Sequence, residues 1–224
     1  MRQPAEGQAI QEPRQSHRLN LAYLCRVRKD RADALSDGVF AVAATLLVFS
    51  VQVPDVRTNL GHALIDLWPA YAAYGISFAT ILVIWVNHHV VMDNVRVYDR
   101  TLLYLNGFLL MTIAIIPFPT FLLAKYLVAG HDASAAAVTY GIAMSLAAFS
   151  FTLISVYGRW RRLFLVTPNF FVFTVGQLCY PLATVISLVN PRLALAIYAA
   201  MVVYYGAYPL VYEARAKRRE SARR

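Results

Sequence analysis

Charge is what this chain has little of. Only 15% of its 224 residues are Asp, Glu, Lys or Arg, against about 25% in an ordinary soluble domain. With 59% apolar residues and a mean hydropathy of +0.51, that shortage excludes a disordered chain and argues against a water-soluble globule. Acid is scarcest: 12 acidic residues face 21 basic ones, a formal net charge of +9. In a membrane chain such an excess speaks to topology before it speaks to nucleic acid, and no nucleic-acid partner is expected. Cysteine is limited to Cys25, in a basic segment, and Cys179, in an apolar run. Two such residues frame neither a disulfide scaffold nor a metal site, so no metal or cofactor is expected. Period-2 alternation is also missing from the long apolar runs, which excludes a strand barrel.

What is there is a set of uncharged apolar runs: 38–54, 67–86, 101–124, 133–158, 163–191 and 193–212. A helix needs about 20 such residues to cross the hydrocarbon core, with ~17–25 usual. The expectation is an all-α membrane protein with six transmembrane helices. An N-terminus in the cytoplasm places eighteen of the 21 Lys and Arg on that side, leaving Arg57, Lys125 and Arg192 outside. By the positive-inside rule both termini are cytoplasmic, and the protein is expected in the cell membrane. Residues 1–30 read as a polar, basic, mobile arm, 31–213 as the membrane domain, and 214–224 as a basic tail that continues the last helix and can touch anionic lipid. A secretory signal does not fit, because the first apolar run starts too deep and five more follow.

The first run differs from the others. It opens Arg31-Ala-Asp33-Ala-Leu35-Ser36-Asp37-Gly38, and an Asp at the membrane boundary must find a partner. Arg31 and Asp37 are about 240° apart on a helix and cannot pair along it. The second run returns to the same side and ends Trp85-Val-Asn87-His88-His89, at the same depth. A hydrogen-bonded cluster of Arg31, Ser36, Asp37, Asn87 and one His is the natural solution, since bare polar groups in lipid cost several kcal/mol each. Adjacent His residues point about 100° apart, so His88 and His89 read as structural rather than as metal ligands. On the first helix Gly38, Val42, Thr45 and Phe49 share one face within about 60°, apolar apart from one hydroxyl.

These residues carry a resemblance. The string Arg31-x-x-x-Leu35-Ser36-Asp37-Gly-Val-Phe-Ala-Val42-x-x-Thr45 is similar to the signature of the prokaryotic transmembrane protein 175 family of potassium channels. Trp85-x-Asn87-His88-His89, Asp99-Arg100-Thr-Leu-Leu-Tyr-Leu-Asn106 and Pro117-Phe118-Pro119 extend the match. It departs at Leu35, where the family has Phe. The resemblance implies a homotetramer in the membrane with a pore lined by four copies of the first helix, without the pore loop of ordinary potassium channels. It implies that Val42, Thr45 and Phe49 form the apolar constriction and hydroxyl layer. Arg31, Ser36 and Asp37 would brace that helix against Trp85, Asn87, His88 and His89.

The activity this resemblance implies is passive leak of K⁺ with a modest preference over Na⁺. The alternative is a proton-coupled or secondary transporter, but no internal repeat and no mid-span charge supports it. An enzyme would need a nucleophile–base pair or metal cluster at depth, and none is evident. Thr174-Val175-Gly176-Gln177 partly mimics a potassium filter, yet the short stretch around 190–192 leaves no room for a re-entrant loop.

Overall fold

A computed structural model describes residues 12–54, 59–126, 132–165 and 170–221, with side chains placed for 29–54, 59–126, 132–165 and 175–207. The helices are α1 (Glu12–Leu46), α2 (Leu60–Asp66), α3 (Trp68–Asp93), α4 (Arg100–Ile115), α5 (Pro117–Tyr126), α6 (Ala133–Trp160), α7 (Phe170–Ile186) and α8 (Pro191–Ser221). A single 3₁₀ turn, Leu47–Ser50, finishes α1.

Among the described residues, four stretches are long and apolar enough to cross a membrane: Lys29–Ser50, Trp68–Asp93, Arg100–Tyr126 and Ala133–Trp160. The fifth and sixth apolar runs fall in α7 and α8, whose described apolar parts, Val175–Ile186 and Pro191–Ala207, are shorter. α1 begins at Glu12, so the backbone of the segment read as an arm is helical from there and continuous with the first span. At the other end α8 carries the basic tail on to Ser221.

Local chemistry sets the boundaries. Asn59 stands in the left-handed region (φ 52°) and its side chain accepts from His62 N–H at 3.3 Å, starting α2. Asp99 caps α4 by accepting from Leu102 N–H at 2.8 Å, an N-cap bond worth about 1 kcal/mol. Its second carboxylate oxygen accepts from the Tyr157 hydroxyl, which ties α4 to α6. The third apolar run breaks between α4 and α5 at Pro117, whose missing N–H interrupts the ladder. Hydroxyls inside the apolar helices bond back one turn, as Thr80 does to Ile76 O at 2.8 Å and Ser155 to Phe151 O at 3.0 Å.

The main apolar core runs through the bundle, with Phe40, Leu47, Ile81, Leu109, Ile113, Met144, Ile154 and Tyr198 buried in it. A polar seam crosses it where Ser77 Oγ of α3 lies 2.9 Å from Thr120 Oγ1 of α5 and 3.3 Å from the Tyr140 hydroxyl of α6. Val175–Gln177 of the filter-like string is helical in α7: Gly176 lets the Tyr205 hydroxyl of α8 approach its backbone, and Gln177 donates to Thr152 Oγ1 at 2.8 Å.

The connections after α3 and α6 meet. Arg96 N–H donates to Leu163 O at 2.8 Å and Leu165 N–H to Asn94 O at 2.7 Å, around an antiparallel bridge of Val95 and Phe164. The buried Phe164 ring lies against Gly158, where a Cβ would collide with it. Gly158→Ala should therefore destabilise the solubilised protein by about 1–3 kcal/mol, the usual cost of overpacking. Thermal inactivation in detergent checks this, and Gly158→Ala with Phe164→Leu should recover much of the loss. Equal inactivation temperatures for Gly158→Ala and wild type would show that the ring moves freely.

Candidate functional site

The first span divides into two faces. Ala32, Ser36, Phe40, Ala43 and Leu47, with Ser50 on the 3₁₀ turn, are buried against the subunit. Gly38, Val42, Thr45 and Phe49 lie on the other side, about 150° away on average by helical phase. They touch solvent space instead of the core: Val42 is 57% and Phe49 69% exposed. The Thr45 hydroxyl donates to Val42 O at 2.9 Å. That fixes its rotor and spends its only proton, so the two lone pairs on Oγ1 remain as acceptors. An outward oxygen with no proton to offer can only accept, from a water or from a cation.

At the base of this helix two hydrogen-bonded sets hold it. Trp85 Nε1–H of α3 donates to Asp37 Oδ1 at 2.8 Å, with the His89 ring 4.6 Å from the Trp85 ring. His89 Nδ1 lies 3.1 Å from Trp85 O; a carbonyl only accepts, so this nitrogen carries a proton. His89 Nε2 lies 3.4 Å from the same Asp37 oxygen and becomes a donor to it only when the ring is charged. The fixed partner of Asp37 is therefore Trp85.

The second set is buried. Ser36 donates to Ala32 O at 2.8 Å and accepts from Asn106 Nδ2–H of α4 at 3.0 Å. Asn106 Oδ1 lies 2.8 Å from His88 Nε2 of α3. The amide oxygen can only accept, so His88 carries its proton on Nε2, and its Nδ1 has no partner among the described residues. Three helices thus meet through one amide, with Phe40 against the His88 ring at 5.5 Å.

Of the residues expected to cluster, Ser36, Asp37, Trp85, His88 and His89 are brought together at the α1–α3–α4 corner. Asn87 turns away, donating to Val83 O at 2.8 Å and to Tyr205 O of α8 at 3.4 Å. Arg31 is exposed and makes no hydrogen bond among the described residues. Sequence reasoning missed Asn106 as the hub of the buried set, although a lone amide in an apolar run was a visible signal. It also missed two ties at the span ends. Lys29 pairs with Asp93 at 2.9 Å, and the Tyr98 hydroxyl donates to Asp33 at 3.3 Å. Burial, with Asp33 beside it, pushes the Tyr98 hydroxyl well above the usual tyrosine range, so it stays a donor. The His88 and His89 rings diverge at 75°, and no three His, Cys, Asp or Glu converge on a metal position among the described residues.

Comparison with known proteins bears on the same segment. Residues 31–117 match the family model described as endosomal/lysosomal potassium channel TMEM175. A potassium channel of Streptomyces collinus is 39% identical over 186 residues, 79% of this chain and 90% of the relative. A potassium channel of Chamaesiphon minutus is 46% identical over 121 residues, 52% of this chain and 60% of the relative. The fold is similar to the crystal structure of a lysosomal potassium-selective channel TMEM175 homolog from Chamaesiphon minutus. That likeness has a TM-score of 0.73 and 34% identity, covering 81% of this chain and 98% of the other. Every residue weighed for the site, from Arg31 to His89, falls inside the matched segment.

Proposed function

Because this chain belongs to the TMEM175 family of potassium channels, we infer that it is a K⁺ channel whose pore runs along the exposed face of α1. The observation that carries the placement is the division of the first span. Its core-facing stripe is committed to the subunit, while Val42, Thr45 and Phe49 point the other way with one proton-free oxygen among them.

One such face cannot enclose a water path. Four copies around an axis can, and the flanks of α1 support that arrangement. An open groove lies on the α4 side, beside Val39, Leu46 and Ala114. Another lies on the α3 side, beside Ala41, Phe78 and Trp85. Unlike grooves on the two sides of one helix suit the head-to-tail contacts of a closed ring. Four Thr45 oxygens then replace part of a hydration shell, which gives a modest preference for K⁺ over Na⁺. Six spans and cytoplasmic termini in the cell membrane complete the reading, on the basic-residue asymmetry. The corner formed by Ser36, Asp37, Trp85, His88 and His89 holds the pore helix at a fixed angle and touches no ion.

The test is the reversal potential of the purified protein in planar bilayers with K⁺ on one side and Na⁺ on the other. Thr45→Ala should lower the K⁺/Na⁺ permeability ratio by about threefold or more, equivalent to ~0.6 kcal/mol of discrimination, and Thr45→Ser should keep it. An unchanged ratio would remove Thr45 from the filter. Wild-type protein that passes no cation current would overturn the channel reading.

A further inference from the structure

We propose that the cavity between α3, α6, α7 and α8 binds a small neutral alcohol with a single alkyl chain. Met144, Ala148 and Phe151 of α6 make its apolar wall, with Asn87 of α3 and Tyr180 of α7 as its polar part. A few well-placed polar groups in an apolar pocket between helices are the usual make-up of a small-molecule site. No wall residue comes from α1 or α4, so the site is complete within one subunit. Val83 and Asn87 each lie about 160° around α3 from Trp85. They are turned away from the groove beside Phe78 and Trp85 that the ring gives to a neighbouring copy. Assembly of the pore therefore leaves the cavity in place.

Two unspent polar groups decide the head of the ligand. Asn87 spends its amide protons on Val83 O at 2.8 Å and Tyr205 O at 3.4 Å, and its Oδ1 accepts from no described residue. Tyr180 is only 7% exposed, yet its hydroxyl has no hydrogen-bond partner among the described residues. The Tyr205 hydroxyl, by contrast, is engaged at the Gly176 backbone. The missing partner must donate to an amide oxygen and accept from a phenol. One hydroxyl does both, with one proton and two lone pairs. A carboxylate cannot donate, an ammonium cannot accept, and either would carry charge into an apolar site. Water has the same two capacities, but the α6 wall offers it no further bond. Size and depth decide the tail. The cavity holds about 60 Å³, well under the ~150 Å³ that takes benzene, so a linear chain fits where a ring does not. Asn87 lies about 9 Å along α3 from Asp93, and Met144 about 24 Å along α6 from Trp160. Those two helix ends share one membrane side, joined through Arg96 N–H and Leu163 O. The polar end of the cavity is thus the shallower one, as an amphiphile entering from the interface requires.

The experiment uses the full chain in a non-ionic detergent and octanol carrying a photoreactive diazirine on its chain. Labelled positions are mapped by mass spectrometry of peptides, and the melting temperature of each variant is read beside them. Label should concentrate between Met144 and Phe151 of α6, and excess octanol should remove it. Octyl methyl ether accepts but cannot donate, and should compete about fivefold less well, the effect of one neutral hydrogen bond. Tyr180→Phe should weaken labelling by a similar factor. Because it removes no bond made among the described residues, its melting temperature should match wild type while the label falls. Ala148→Leu keeps both polar groups, fills the cavity and should abolish labelling. Label spread evenly over the exposed helix faces, or equal competition by alcohol and ether, would overturn the proposal. So would undiminished labelling in Ala148→Leu. Folded wild type that takes no label between Met144 and Phe151 would leave the two polar groups to water alone and overturn it too.

Discussion

Asn106→Leu is expected to lower the stability of the solubilised protein by about 2 kcal/mol or more, the size of a buried donor left bare. A single interhelical hydrogen bond in a membrane protein contributes only ~0.6 kcal/mol on average, because the separated helices also find partners. Asn106 exceeds that figure for two reasons. It makes two bonds at once, to Ser36 Oγ and His88 Nε2, and both partners are buried. His88 has nothing in reserve, since Nδ1 is already without a partner among the described residues, so losing Asn106 leaves the whole imidazole bare. Ser36→Ala should cost less than Asn106→Leu, because the hydroxyl proton goes to Ala32 O on its own helix. The pair Asn106→Leu with His88→Leu should be more stable than Asn106→Leu alone, since removing both partners also removes the unmet donor. Thermal inactivation of the three variants in one detergent gives the order. Asn106→Leu melting with wild type would mean that the amide is not the hub.

Helical phase explains which parts of this corner were legible in the sequence. That α1 and α3 meet at the depth of Asp37 and Trp85 follows from hydropathy alone, because consecutive spans are antiparallel and their adjoining ends share a side. The two faces of α1 follow from the 3.6-residue period. Which partner each residue of Asn87-His88-His89 takes does not follow. Steps of about 100° send Asn87 to Tyr205 of α8, His88 to Asn106 of α4 and His89 to Asp37 of α1. Those choices depend on where α4 and α8 cross α3, a tertiary matter. Arg31 is instructive in the same way. It is about 140° from Ser36 and sits close to the phase of Val42, so the helix itself keeps it out of the buried set. The break at Pro117 was legible because proline cannot donate. α2 was not, since a seven-residue helix between apolar runs has neither the length nor the stripe to declare itself.

Phe49→Asn should raise the K⁺ current at fixed voltage by about tenfold or more, the result of lowering a barrier by ~1.4 kcal/mol. In the proposed ring Val42 and Phe49 lie about 10 Å apart along the axis, with Thr45 between them. The hydroxyl layer is thus bracketed by two apolar rings, and a narrow apolar ring empties of water without any moving plug. Phe49 is the more effective of the two: it is the bulkier side chain, it is 69% exposed, and the 3₁₀ turn that carries it is pinned inward by buried Leu47 and Ser50. Asparagine in its place offers donors and acceptors to water at similar backbone geometry, so the ring stays wet. Because Thr45 is untouched, the K⁺/Na⁺ permeability ratio should hold while the current rises, which separates gate from filter. Val42→Asn should act in the same direction, with a smaller gain from the smaller starting side chain. If Phe49 faced lipid instead, Asn there would weaken assembly and leave the current per assembled channel unchanged. Size-exclusion chromatography beside single-channel recording distinguishes the two, and unchanged current from an intact oligomer would move the constriction off Phe49.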